Sequence, residues 1–157
     1  MAALTSAAVS SGAVGQDLTF DETADPALVD VINTCIAQPD DIQECLDVAS
    51  RDCLETPGND TTFGMSACTS NSYLAWDKVL NDRYAALREK VPSKIFETLR
   101  DAQRAWITYR DADCSLAGKV FEGGTLEPLL VTSCYEYKTA LRVIDLDQML
   151  GDWSETY

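Results

Sequence analysis

Histidine is absent from the 157-residue sequence, and with it go Ser-His-Asp triads, Cys-His dyads and most catalytic zinc sites. There is no C-x-x-C pair, no G-x-S-x-G turn and no G-x-x-x-x-G-K phosphate loop. Paired acids such as Asp111 and Asp113 stand two apart on an expected helix and face different ways, which does not suit a glycosidase. No run of about 18 or more apolar residues is present to span a bilayer. Bases are scarce, with 12 Lys and Arg against 26 Asp and Glu for a net charge of −14. Nucleic acid and anionic membranes are poor partners for such a chain, because phosphate binding needs clustered cations. The sequence therefore reads as a protein that is not an enzyme and holds no metal.

What is present is unevenly spread. Twelve acids lie between Asp17 and Asp60 against the single base Arg51, whereas fourteen acids and eleven bases follow from Thr61 onward. An acidic N-terminal third favours a cationic protein as partner; a merely solvated face is the plainer alternative. Residues 1–15 contain no charge, and Ala13 and Gly15 supply the small residues of a cleavage site before Gln16. This stretch is expected to be a signal-peptide remnant, with a disordered Ala/Ser tail as the other reading. Residues 16–157 form one domain, divided into an acidic hairpin at 16–52 and a core at 53–150.

Six cysteines in an exported chain suggest three bridges. Each consecutive pair straddles a turn signal almost symmetrically. Cys35 and Cys45 centre on Asp40, Cys53 and Cys68 on the Asn59-Asp60 turn, and Cys114 and Cys134 on Gly124. Residues equidistant from a turn between antiparallel helices lie side by side, as a disulfide requires. The expected pairs are 35–45, 53–68 and 114–134; free buried thiols are the alternative.

Periodicity predicts helices throughout. Pro26 opens the first, with Leu28, Val29, Ile32 and Ile36 on its apolar side, and it ends near Pro39. Asp40 or Asp41 caps a second carrying Cys45, Leu46, Ala49 and Cys53. A long helix from about Phe63 repeats Tyr73, Trp76, Leu80, Tyr84, Leu87 and Val91 up to Pro92. Ser93 caps the next, whose stripe is Ile95, Leu99, Ala102, Trp106, Tyr109 and Leu116. The last runs from about Leu126 through Leu130, Cys134, Tyr137, Leu141 and Ile144 to about Leu150. Asp101 with Arg104, and Arg110 with Asp113, are expected i,i+3 ion pairs. Trp76, Tyr84, Trp106 and Tyr109 are expected in the core. The fold class is thus all-α, a small disulfide-stapled bundle of antiparallel helices with an acidic N-terminal helical hairpin.

The segments CTSNSYLAWDKVLNDRYAAL (68–87), LRDAQRAWITYRDADC (99–114) and SCYEYKTALRVIDL (133–146) resemble the successive helices of the LprI-like lysozyme inhibitors, whose members include YecT-like proteins. The most specific element combines Gln103, Arg104, Trp106, Tyr109, Arg110, Asp111 and Cys114, with Trp76 in the preceding segment. Ser133-Cys134-Tyr135 departs from the commoner Cys-Leu pair of the family. The resemblance implies a periplasmic or secreted helical protein without a cofactor, whose partner is a basic protein such as a c-type lysozyme. A general envelope adaptor module is the alternative function. Turn geometry, rather than the family, points to Lys119, Glu122, Gly123 and Gly124 as the partner-binding tip, held by the neighbouring 114–134 bridge.

Overall fold

The computed structural model describes residues 23–38 and 42–154. The expected leader at 1–15 and the turn and cap at Pro39 to Asp41 lie outside them. The described elements are α1 (Pro26–Ala37), one 3-10 turn (Ile42–Cys45), α2 (Arg51–Glu55), α3 (Thr62–Lys90), α4 (Ser93–Lys119) and α5 (Leu126–Ser154). No strand occurs among the described residues, and none of their helices is long and apolar enough to cross a membrane. The protein is an all-α, disulfide-stapled bundle.

Local chemistry sets most boundaries. Asp25 caps α1, its carboxylate accepting from the Ala27 amide at 2.9 Å, and Pro26 takes a first-turn place where its missing N–H is not needed. Thr61 caps α3 through the Gly64 amide at 3.0 Å. The expected cap of α4 is corrected: Pro92 holds that position, its carbonyl accepting from Ile95 and Phe96, and Ser93 is already the first helical residue. The second hairpin helix is also corrected. Instead of one continuous helix, the chain makes a 3-10 turn, a bend and the short α2. Side chains compete for the carbonyls a helix would use, since Arg51 donates to Glu44 O at 3.0 Å and the Ser50 hydroxyl donates to Asp47 O at 3.3 Å.

The long helix α3 lies parallel to α5, with Thr69 meeting Thr132 at 2.6 Å near one end and Arg83 meeting Asp147 at 2.6 Å near the other. α4 returns antiparallel against α5, and α1 packs on α3. Trp76, Val79 and Leu87 of α3 are fully buried with Val143 and Leu146 of α5 and Ile32 of α1. Arg83 also donates to Asn33 Oδ1 at 2.9 Å, so one guanidinium ties α1, α3 and α5 together. The bridges join Cys35 to Cys45, Cys53 to Cys68 and Cys114 to Cys134, at Cα separations of 5.7, 5.6 and 5.4 Å. These are the pairs that turn symmetry leads one to expect.

Where the bridged turn crosses the start of α3, space is tight. A Cβ on Gly64 would stand 2.7 Å from Asn59 Cα and 2.9 Å from Asn59 O. This backbone cannot retreat easily, because the Asn59 side-chain amide donates to Cys53 O at 2.9 Å beside the 53–68 bridge, and its backbone N–H donates to Thr56 O at 3.1 Å. Gly64→Ala gains helix propensity but overpacks the contact, and a net loss of about 1–2 kcal/mol is expected. Thermal unfolding should show a drop of several degrees; an unchanged or raised Tm would mean that the turn moves freely.

Candidate partner-binding surface

Part of the polar chemistry of α4 faces inward, along a line that apolar periodicity alone does not trace. The buried line is Leu99, Gln103, Arg110, Cys114 and Gly118, with Trp106 half-buried among them. Arg110 lies in an aromatic cage, its guanidinium 5.0 Å from the Trp106 ring, 5.0 Å from Tyr135 and 5.8 Å from Tyr73. It also pairs with Asp111 at 2.9 Å and Asp77 at 3.7 Å. Gln103 accepts from Arg142 Nε at 2.9 Å. These contacts tie α4 to α3 through Tyr73 and Asp77 and to α5 through Tyr135 and Arg142.

Three expectations change here. Tyr109, expected in the core, is 56% exposed; its hydroxyl accepts from Lys138 at 3.1 Å, and Lys138 lies over its ring. Ala102 and Leu116 likewise leave the expected stripe for the surface, as does Tyr137 of α5. The expected i,i+3 pairs are replaced: Asp101 pairs with Arg100, while Asp113 pairs with Lys138 at 2.7 Å. The cause is visible at Asp113. Arg110 turns into the aromatic cage, and a cation from α5 reaches the acid it leaves. Asp113 and Tyr109 together hold the Lys138 ammonium above its ordinary pKa.

Among the described residues, one buried acid lacks a cation. Glu136 of α5 is buried, with Oε1 unpartnered, beneath the chain around Asp47 and Ser50. Burial raises its pKa, the nearby Ser50 and Ser72 hydroxyls offset this in part, and Asp47 adds to the rise. A carboxyl with a raised folded pKa contributes stability below its unfolded pKa and loses it as pH climbs through the folded value. Glu136→Gln is therefore expected to raise stability at neutral pH by about 1 kcal/mol or more. Against wild type, that gain should shrink toward acid pH in urea titrations; an equal gain at all pH values would show that charge burial is not the cause.

Much of the exposed apolar chemistry gathers at one end. α4 closes at Lys119, and a turn carries the chain to Leu126. Val120 is 73% exposed and Leu116 65%, with Phe121 and Leu126 also in solvent. Phe63, 85% exposed, stands six residues before Thr69, which meets Thr132 of α5, and so belongs to the same end. The turn is firmly built. Gly123 adopts φ +78°, a conformation suited to glycine, and its amide donates to Glu127 Oε2 at 2.6 Å. Gly124 N donates to Phe121 O at 2.8 Å. Lys119 and Glu122 form an ion pair with each other.

Lys119, Glu122, Gly123 and Gly124 thus fall together on one exposed turn, one helical turn beyond the Cys114–Cys134 bridge. Sequence reasoning missed the apolar residues among them. The signal was available in Val120-Phe121, an apolar pair just before two glycines, where a turn ordinarily carries polar residues. Beside this end, Asp52, Glu55 and Asp60 of α2 and its following turn are exposed, giving the apolar tip an acidic flank.

Comparison with known proteins places this geometry in context. The family model described as lysozyme inhibitor LprI matches residues 53–146. An uncharacterized protein of Rhizobium meliloti (strain 1021) is 34% identical over 99 residues, covering 55% of this chain and 71% of the relative. No solved structure matches.

Proposed function

Because this chain belongs to the LprI lysozyme inhibitor family, we propose that it is an exported inhibitor, periplasmic or secreted, that binds a basic muramidase such as a c-type lysozyme and catalyses nothing itself. The observation that carries this reading is the α4–α5 tip, where Leu116, Val120, Phe121 and Leu126 are exposed around a turn fixed by hydrogen bonds. An apolar centre held in one conformation before binding loses little entropy on association, and its burial supplies the affinity. The acidic flank supplies attraction to a cationic enzyme. Tight docking near the enzyme's cleft would then exclude substrate.

The test is peptidoglycan turnover by a c-type lysozyme with the oxidised protein added, beside an equally acidic unrelated protein. Near-stoichiometric slowing is expected. Val120→Ser with Phe121→Ser should weaken inhibition at least tenfold, mostly through faster dissociation. Neutralising Asp52, Glu55 and Asp60 should instead slow association and reduce its salt dependence, since exposed charges are screened over about 8 Å at physiological ionic strength. Turnover equal to that with the control protein would overturn the inhibitor reading in favour of an envelope adaptor that binds another protein.

A further inference from the structure

A second site lies away from the tip, between α3 and α4. Both helices pack against α5 and diverge from each other, leaving a cavity of 320 Å³. Its apolar wall is Leu80, Tyr84 and Ile107, and Asn81 and Gln103 bring side-chain amides. Arg100, Arg104 and Arg110 line it against one acid, Asp77. The concentration of guanidinium groups is notable on a chain of net charge −14.

The local charges are not all satisfied alike. Asp77 is engaged by Asn81 Nδ2 at 3.1 Å and by Arg110 at 3.7 Å. Arg110 is further engaged by Asp111, and Arg100 meets Asp101 at 3.4 Å. Arg104 is exposed and has no carboxylate partner among the described residues, although the chain carries 26 acids. A planar guanidinium at the edge of a partly apolar groove is suited to bidentate pairing with a carboxylate. The apolar wall would take the methylene stem of such a ligand.

We propose that the α3–α4 groove binds a peptide-borne carboxylate, with Arg104 pairing with the charge and Tyr84 and Ile107 covering the stem. Size and charge narrow the ligand class. The cavity is at the lower end of small-ligand sites, roughly 300–1,000 Å³, and holds one or two residues. One uncompensated guanidinium matches a single negative charge, because Arg100 and Arg110 already meet Asp101, Asp111 and Asp77. The carboxylate belongs to a glutamate side chain or to a peptide's C-terminus. This site is separate from the tip, so it stands or falls independently of lysozyme inhibition.

Titration of the full oxidised protein by NMR tests it, with acetyl-Gly-Glu-Gly-amide, acetyl-Gly-Gln-Gly-amide and acetyl-Gly-Leu-Gly free acid as probes. Saturable shifts are expected at Arg104 Nε and the Ile107 methyls with at least one of the two acids, and which acid binds more tightly identifies the source of the carboxylate. The glutamine peptide should bind at least tenfold more weakly than the preferred acid. Arg104→Gln should cost at least tenfold in affinity, and Arg104→Lys should give an intermediate loss by keeping charge without the fork. Both substitutions are at an exposed position, and an unchanged Tm verifies folding. Equal binding of the glutamine peptide, affinity indifferent to Arg104→Gln, or shifts centred on other cations such as Lys94 or Lys119 would overturn the proposal.

Discussion

Reducing all three disulfides should unfold the protein at neutral pH without added denaturant. The bridges span sequence separations of 10, 15 and 20 residues. By the chain-entropy argument each restricts the unfolded chain by about 3 kcal/mol, or about 9 kcal/mol together. That is comparable with the whole stability of an ordinary domain, roughly 5–15 kcal/mol. Among single removals, replacing Cys114 and Cys134 with Ala should cost most, because that bridge joins α4 and α5 and closes the largest loop. Circular dichroism with urea titration measures both effects. If the reduced protein keeps a cooperative transition within about 3 kcal/mol of the oxidised one, the bridges are not the main support.

Arg110→Ala should be the most damaging substitution among the polar residues of α4, with a loss of about 3 kcal/mol in urea unfolding. The change removes a buried cation from between three rings and leaves Asp77 and Asp111 without their shared partner. Both acids are partly solvated, which keeps the expected cost at the low end for a broken buried pair. Arg110→Met should recover part of the loss by refilling the cage, and adding Asp77→Asn should recover more by removing the stranded charge. A cost below about 1 kcal/mol for Arg110→Ala would show that the cage is held by its aromatic packing alone.

These two sites differ in how far the sequence disclosed them. Turn symmetry located the bridges because a disulfide between neighbouring helices obeys a simple geometric rule, and Pro26, Pro92 and the Gly123-Gly124 turn punctuated the helices where expected. The inward line of α4 was hidden because Gln103 and Arg110 are polar, so apolar counting followed Ala102, Tyr109 and Leu116 to the solvent side instead. The broken second helix was equally hidden. Its periodicity was genuine, but Ser50 and Arg51 take backbone carbonyls that a continuous helix would need. At the tip, the turn residues are legible from their glycines, whereas helical periodicity places Leu116 and Leu126 on helices without disclosing that they are exposed. The groove at Arg104 depends on how far α3 and α4 diverge, which no local pattern records.

The order of the cysteines has a consequence for biogenesis. Each bridge joins a cysteine to the next one along the chain, first to second, third to fourth and fifth to sixth. A polypeptide threaded N-terminus first into an oxidising compartment presents each partner before the following pair arrives. Oxidation in order of emergence therefore yields the native connectivity, with no bridge that must be opened and reshuffled. A dithiol oxidase alone should suffice for maturation, and loss of a disulfide isomerase should leave the yield of folded protein almost unchanged.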